Sequence, residues 1–180
     1  MIGAIAGRKV GLHTMSEVPS GSWDSPQPEN FARSAGHRDR TRGGTGGSEA
    51  PEPDPAEVHT WYTTGMELLG KGSPAAAAQV LQRAANAEPA SRSIREALAR
   101  AQFDTGQYTA AADNFRVIVE ASPTDDYAHF GLGLSLARVG DYEAAAEYLA
   151  LAAAMRPDRK HYTDALRQVR ATIKFRRQAP

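Results

Sequence analysis

From Pro55 onward the chain alternates between runs in which apolar residues recur at helical spacing and short polar breaks centred on Gly or Pro. Apolar residues three and four positions apart share one face of an α-helix, so each such run, roughly fourteen residues long, predicts an amphipathic helix. The breaks between paired runs are Gly72-Ser73-Pro74, Gly106-Gln107-Tyr108 and Gly140-Asp141-Tyr142. Glycine just past the last turn of a helix supplies a left-handed backbone that other residues resist, and Ser73 or Asp141 beside it is placed to cap the next helix through its side-chain oxygen. Pro89, Pro123 and Pro157 close the second run of each pair. A proline ring removes a backbone donor and disfavours helical geometry in the residue before it.

These marks keep one interval. The three prolines stand 34 residues apart, as do Gly72, Gly106 and Gly140, and Ala77, Ala111 and Ala145. Leu81, Phe115 and Leu149 recur in register, and Gly65, Ala99 and Gly133 form a column of small residues. Glycine inside a helix costs about 1 kcal/mol relative to alanine, so its place in that column calls for close approach of the second helix to the first. Leu68, Leu98, Leu132 and Leu136 then fill the space between helices. One pair cannot bury such a face alone, and stacking of neighbours stabilises the array. Beyond Pro157, Tyr162, Leu166, Val169 and Ile173 form one apolar stripe, with Arg167, Arg170, Lys174 and Arg177 at similar spacing on another face. This predicts a capping helix over 159–177. The expectation is an all-α domain over 56–180, with helix-turn-helix units at about 57–90, 91–124 and 125–158.

The residues of residues 57–157 resemble the tetratricopeptide repeat family. The first unit matches at Trp61, Gly65, Leu68, Ala77, Leu81, Ala84 and Pro89, and the second at Leu98, Ala99, Gly106, Tyr108, Ala111, Phe115 and Pro123. The third matches at Leu132, Gly133, Leu136, Gly140, Asp141, Tyr142, Ala145, Leu149, Ala152 and Pro157. Two departures stand out. Arg95 and His129 replace Trp61 in the later units, and Gln102, beside Phe103, replaces Leu68 in the second, which leaves the packing of that unit open.

The resemblance implies a right-handed α-α superhelix with no catalytic activity, whose first helices line a concave groove holding a peptide or helix of another protein. Carried over by position, the groove residues are His59, Tyr62, Met66 and Leu69, then Glu96, Arg100, Phe103 and Asp104, then Tyr127, Phe130, Leu134 and Arg138. Tyr62, Phe103, Tyr127 and Phe130 would anchor the ligand, with Arg100 and Arg138 orienting it. The competing assignment for all twelve is inter-helix core, because a helix-face assignment slips easily by one residue. Family members that clamp the acidic C-terminal tails of heat-shock chaperones need Lys and Asn where this chain has Tyr62, Met66, Ala97, Tyr127 and Gly131. A different ligand is therefore expected.

Composition narrows the chemistry. Residues 19–55 are dominated by Ser, Gly, Pro, Asp, Glu and Arg without apolar periodicity. Such a stretch buries too little apolar surface to offset roughly 1–2 kcal/mol of backbone ordering entropy per residue, so residues 1–55 are expected to be a disordered arm. Arg38, Arg40 and Arg42 running into Gly43-Gly44 are interleaved with Asp39 and read as solvated linker. The start, with Lys and Arg after a short apolar run instead of before it, does not read as an export signal. Met15 is an equally good translation start. The absence of Cys excludes disulfides, thiolate metal sites and cysteine nucleophiles. No stretch approaches the roughly 20 apolar residues of a transmembrane span, so no membrane partner is expected, and the Ala- and Arg-rich usage suggests a cytoplasmic protein of a high-GC bacterium. Net charge is zero, with 21 basic and 21 acidic side chains, yet residues 158–180 are strongly basic.

Several motifs invite chemistry and decline it. Gly65 to Gly72 comes within one residue of a phosphate-binding loop, but its first half lies inside a predicted helix, not between strand and helix. His13, His37, His59, His129 and His161 show no metal-ligand spacing; His129 reads as a structural imidazole. Asp125-Asp126 reads as a helix cap. No cofactor, metal or small-molecule substrate is expected. Besides the groove-binding adaptor, two alternatives remain: a self-associating scaffold, and a binder of nucleic acid or an anionic surface through the basic last helix. The lack of interleaved exposed aromatics speaks against nucleic acid.

Overall fold

The computed structural model describes residues 53–178. The arm expected over 1–55, with its export-signal, start-site and Arg/Gly readings, lies outside the described residues except for 53–55. Seven helices follow in order: α1 Pro55–Gly70, α2 Pro74–Ala87, α3 Arg92–Asp104, α4 Tyr108–Ala121, α5 Asp126–Val139, α6 Tyr142–Met155 and α7 Lys160–Gln178. No described residue forms a strand. Each helix packs on its neighbours in sequence, and the first helices α1, α3, α5 and α7 also touch one another along the array.

The turns are built alike. Gly72, Gly106 and Gly140 take φ of 70°, 79° and 100°. At each, the glycine N–H donates back to Leu69, Phe103 or Ala137, and the next N–H donates to Leu68, Gln102 or Leu136. This double closure satisfies carbonyls that the helix end would leave unpaired. Asp141 caps α6, accepting from the Ala144 N–H at 3.2 Å, and Asp125 caps α5, accepting from the Ala128 N–H at 3.0 Å. Ser73 does not cap with its side chain. Pro74 follows it at the start of α2 and has no N–H, so there is one orphan donor fewer to satisfy.

The small-residue column does what its spacing calls for. A Cβ at Gly65 would lie 2.5 Å from Leu81, and one at Gly133 would lie 2.7 Å from Leu149. A second column emerges between repeats: a Cβ at Gly131 would lie 2.5 Å from the ring of Phe115, in the preceding pair. One repeat earlier and later that place belongs to Ala97 and Ala165, whose register partners are Leu81 and Leu149. Gly131 thus accommodates the larger ring of the middle repeat.

The departures in the second repeat also compensate one another. Asn114 on α4 donates to Gln102 Oε1 at 2.8 Å and accepts from Arg95 Nη1 at 3.0 Å, while Arg95 Nη2 donates to the Pro89 carbonyl at 2.5 Å. Trp61, Leu68 and Val80 hold the equivalent places in the first repeat. Three facing positions have turned polar together, so the buried Gln102 keeps a partner. The apolar core is divided nearby, with one cluster joining α1, α2 and part of α3 and another running from α3 to α7.

Candidate protein-binding face

The first helices set the twelve expected groove residues side by side, at three depths. His59 and Asp104 are exposed; Met66, Leu69, Glu96, Arg100 and Arg138 are half-buried; Tyr62, Phe103, Tyr127, Phe130 and Leu134 are buried. The aromatic anchors need correction accordingly. Tyr62, Phe103 and Tyr127 are only 8% exposed and Phe130 only 3%. Tyr162 of α7 stacks on Phe130 at 4.4 Å between ring centroids, and His161 meets it edge-on at 5.2 Å. Phe130 therefore seals the junction between the third repeat and the last helix. Phe103 lies edge-on to Tyr108 at 5.2 Å, and the Arg138 guanidinium lies over both rings, at 5.9 and 5.7 Å. Tyr127 makes an edge contact with Phe115 at 6.4 Å. The four rings are buried, each in its own packing, and the half-buried side chains of the same helices carry the accessible surface.

Charge is concentrated in the middle repeat. Glu96 sits in the column whose other members are Tyr62 and Phe130, and its side chain is 12% exposed. Burial pushes its carboxyl up to about 7; Arg92 opposes the rise, Asp125 adds to it, Arg100 opposes it and Asp126 adds to it. Arg92 divides itself between Glu96 at 3.3 Å and Asp125 at 2.5 Å, tying α3 to the start of α5. Burial, and then the charge of Glu96, also raise the hydroxyls of Tyr62 and Tyr127 above the usual tyrosine value. One repeat on, the Tyr162 hydroxyl donates to Asp126 at 2.9 Å, with Arg159 at 3.9 Å from the same oxygen.

Sequence reasoning missed Arg92, Asp126 and Arg159 as members of this rim. The available signal was the pair of opposite charges at Arg92 and Asp126, one repeat apart at the starts of successive first helices. His129 is buried, its Nδ1–H donating to the Asp125 carbonyl at 2.8 Å, in a packing role. Among the described residues no cluster of His, Cys, Asp and Glu could hold a metal ion, and no helix is long and apolar enough to cross a membrane.

The comparisons agree with this architecture. The family model described as tetratricopeptide repeat matches residues 62–126 and 125–160. The first such domain of Spaghetti (RPAP3), solved with an HSP90 peptide, shares 15% identity at a TM-score of 0.63, over 69% of this chain and 99% of that one. The Sgt2 domain of Aspergillus fumigatus shares 19% at 0.63, over 71% and 85%. MamA of Desulfovibrio magneticus shares 20% at 0.64, over 67% and 68%. No curated protein sequence matches the chain. Three helix pairs of 34-residue period, glycine-closed turns, a closing helix and a family model spanning more than half the chain together make this protein a member of the tetratricopeptide repeat family.

Proposed function

We propose that the protein is a non-catalytic adaptor that holds a segment of another protein against its first helices. The carrying observation is that Met66 and Leu69 on α1, Glu96 and Arg100 on α3 and Arg138 on α5 remain half-buried on the first helices while the neighbouring aromatic side chains are buried. Partly apolar surface with a few fixed charges suits a short segment whose apolar residues bury and whose polar groups set its direction. The RPAP3 domain is described as bound to the HSP90 peptide SRMEEVD. Likeness at that identity extends to the fold, and the central Glu96 argues against the same ligand here. An acidic tail laid along these side chains would meet a second carboxylate in a poorly solvated place.

Affinity capture with the full chain, read by mass spectrometry, tests the reading. Replacing Met66 and Leu69 with Glu should lower capture of the specific partner at least about tenfold while leaving helicity unchanged. A titration with SRMEEVD should give no saturable binding. Undiminished capture by the folded double variant would remove the groove assignment, and firm binding of that peptide would remove the argument from Glu96 against an acidic tail.

A further inference from the structure

Helix α7 begins as a fourth first helix. Tyr162 and Leu166 continue the columns of Ala128 and Leu132, and buried Tyr162 and Val169 seat α7 on α5 and α6. Its far side breaks the pattern. Where each repeat receives its own second helix, the columns read Gly65, Ala99, Gly133, then Leu68, Gln102, Leu136, then Gly72, Gly106, Gly140; α7 places Arg167, Arg170 and Lys174 there, all exposed. Among the described residues no second helix covers them. Arg167 pairs with Asp164 at 2.8 Å and Arg177 lies 3.8 Å from Glu143, while Arg170 and Lys174 make no ion pair among the described residues.

Arg170, Lys174 and Arg177, with Ala146, Ile173 and Gln178, line an open cleft of about 490 Å³ between α6 and α7. Its floor is apolar and its α7 wall cationic. On the α6 side Ala146 lines the cleft and Glu143 lies 3.8 Å from Arg177.

We propose that this second-helix seat, uncovered among the described residues, binds an amphipathic helix of another protein that presents carboxylates along one flank of its apolar stripe. The floor requires the stripe, and the cations, spaced three, four and three residues apart, match carboxylates repeating at helical spacing. Glu143, beside Arg177 on the α6 side, would repel a polyanion lying across the cleft, which disfavours nucleic acid and anionic bilayers. A second copy presenting the same face would bring like charges together. The proposal is independent of the concave-face reading, since it uses the opposite side of the last helix.

The test is fluorescence anisotropy of a labelled helical peptide of about 18 residues, long enough for marginal helicity in water, with Glu at the complementary spacing and Leu on the adjoining stripe, titrated with the full chain. Exchanging Arg170 and Lys174 for Glu should weaken binding at least about tenfold, and a peptide with Lys in place of Glu should bind that variant instead. Met66→Glu should leave this binding unchanged. Both target side chains are exposed, so helicity and melting should be retained; should the reversal unfold the chain, Arg170→Gln with Lys174→Gln asks the same question. Equal binding of the Glu and Lys peptides, or indifference to the charge change, would overturn the proposal. So would binding of an oligothymidylate of about 20 nucleotides in place of the Glu peptide, with the steep salt dependence of phosphate contacts.

Discussion

Glu96 shows how one side chain couples the groove to solution conditions. In the unfolded chain its carboxyl titrates near 4.5, whereas in the fold burial lifts it to about 7. Between those values the folded chain holds a proton that the unfolded chain releases, so this group's contribution to stability declines as pH rises through that window, by at most about 3 kcal/mol. Glu96→Gln should flatten the pH dependence and stabilise the protein at pH above the window; urea unfolding on both sides of it provides the measurement, and parallel profiles would contradict the assignment. Gly131 carries a second residue-level prediction. Gly131→Ala drives a Cβ into the buried, rigid ring of Phe115 and should cost about 1–3 kcal/mol. Adding Phe115→Leu, which restores the Leu and Ala pairing of the flanking repeats, should recover part of that loss in a double-mutant cycle.

At the scale of elements, α7 covers the apolar edge of the third repeat. Its expected stripe divides by depth: Tyr162 and Val169 are buried, whereas Leu166 and Ile173 are half-buried at the margins. Val169→Asp should therefore destabilise the domain by more than the roughly 1.5–3 kcal/mol of burying an aliphatic side chain, because a carboxylate is also desolvated. Calorimetric melting reads the loss, and an unchanged transition would mean that α7 is not part of the cooperative unit. The second pair supplies a contrasting lesson. Gln102 read in isolation looks like a defect at a leucine position, but Asn114 and Arg95 complete its hydrogen bonds across α3 and α4. The three changes are intelligible only as a set, which a column-by-column reading does not assemble.

For the whole molecule, both edges of the array carry polar residues where repeats would otherwise stack. The columns of Ile94, Ala128 and Tyr162, of Ala97, Gly131 and half-buried Ala165, and of Ala101, Ser135 and Val169, otherwise buried, hold Thr60, Thr63 and Glu67 in α1, all three exposed. The two threonine hydroxyls donate to carbonyls of their own helix, at 2.9 and 3.1 Å, so that edge offers no apolar seat. At the other edge the exposed cations of α7 flank the apolar floor of its cleft with α6, so a wholly apolar face finds no match there. Stacking of apolar faces drives such arrays together, and polar terminal surfaces stop it. The three interior junctions bury apolar surface, while the two ends present charge and hydroxyls.

The helical period, the glycine turns, the closing prolines and the small-residue column were legible from sequence, because each is a local demand of backbone geometry or close approach and is repeated in register. The resemblance to the family, and not the regularity itself, pointed to the first helices as the place to look for a binding face. Which of their side chains remain open was decided by tertiary structure. Phe130 reads as an exposed anchor within α5, yet Tyr162, on a helix that begins only after two further turns and α6, stacks over its ring. The position of Glu96 in a column of aromatic residues was visible, but its raised proton affinity arises from burial and from Asp125 and Asp126, against the opposing Arg92 and Arg100, groups that only the fold brings together. A residue's side of its own helix follows from spacing along the chain; whether that side meets solvent depends on the helix that folds against it.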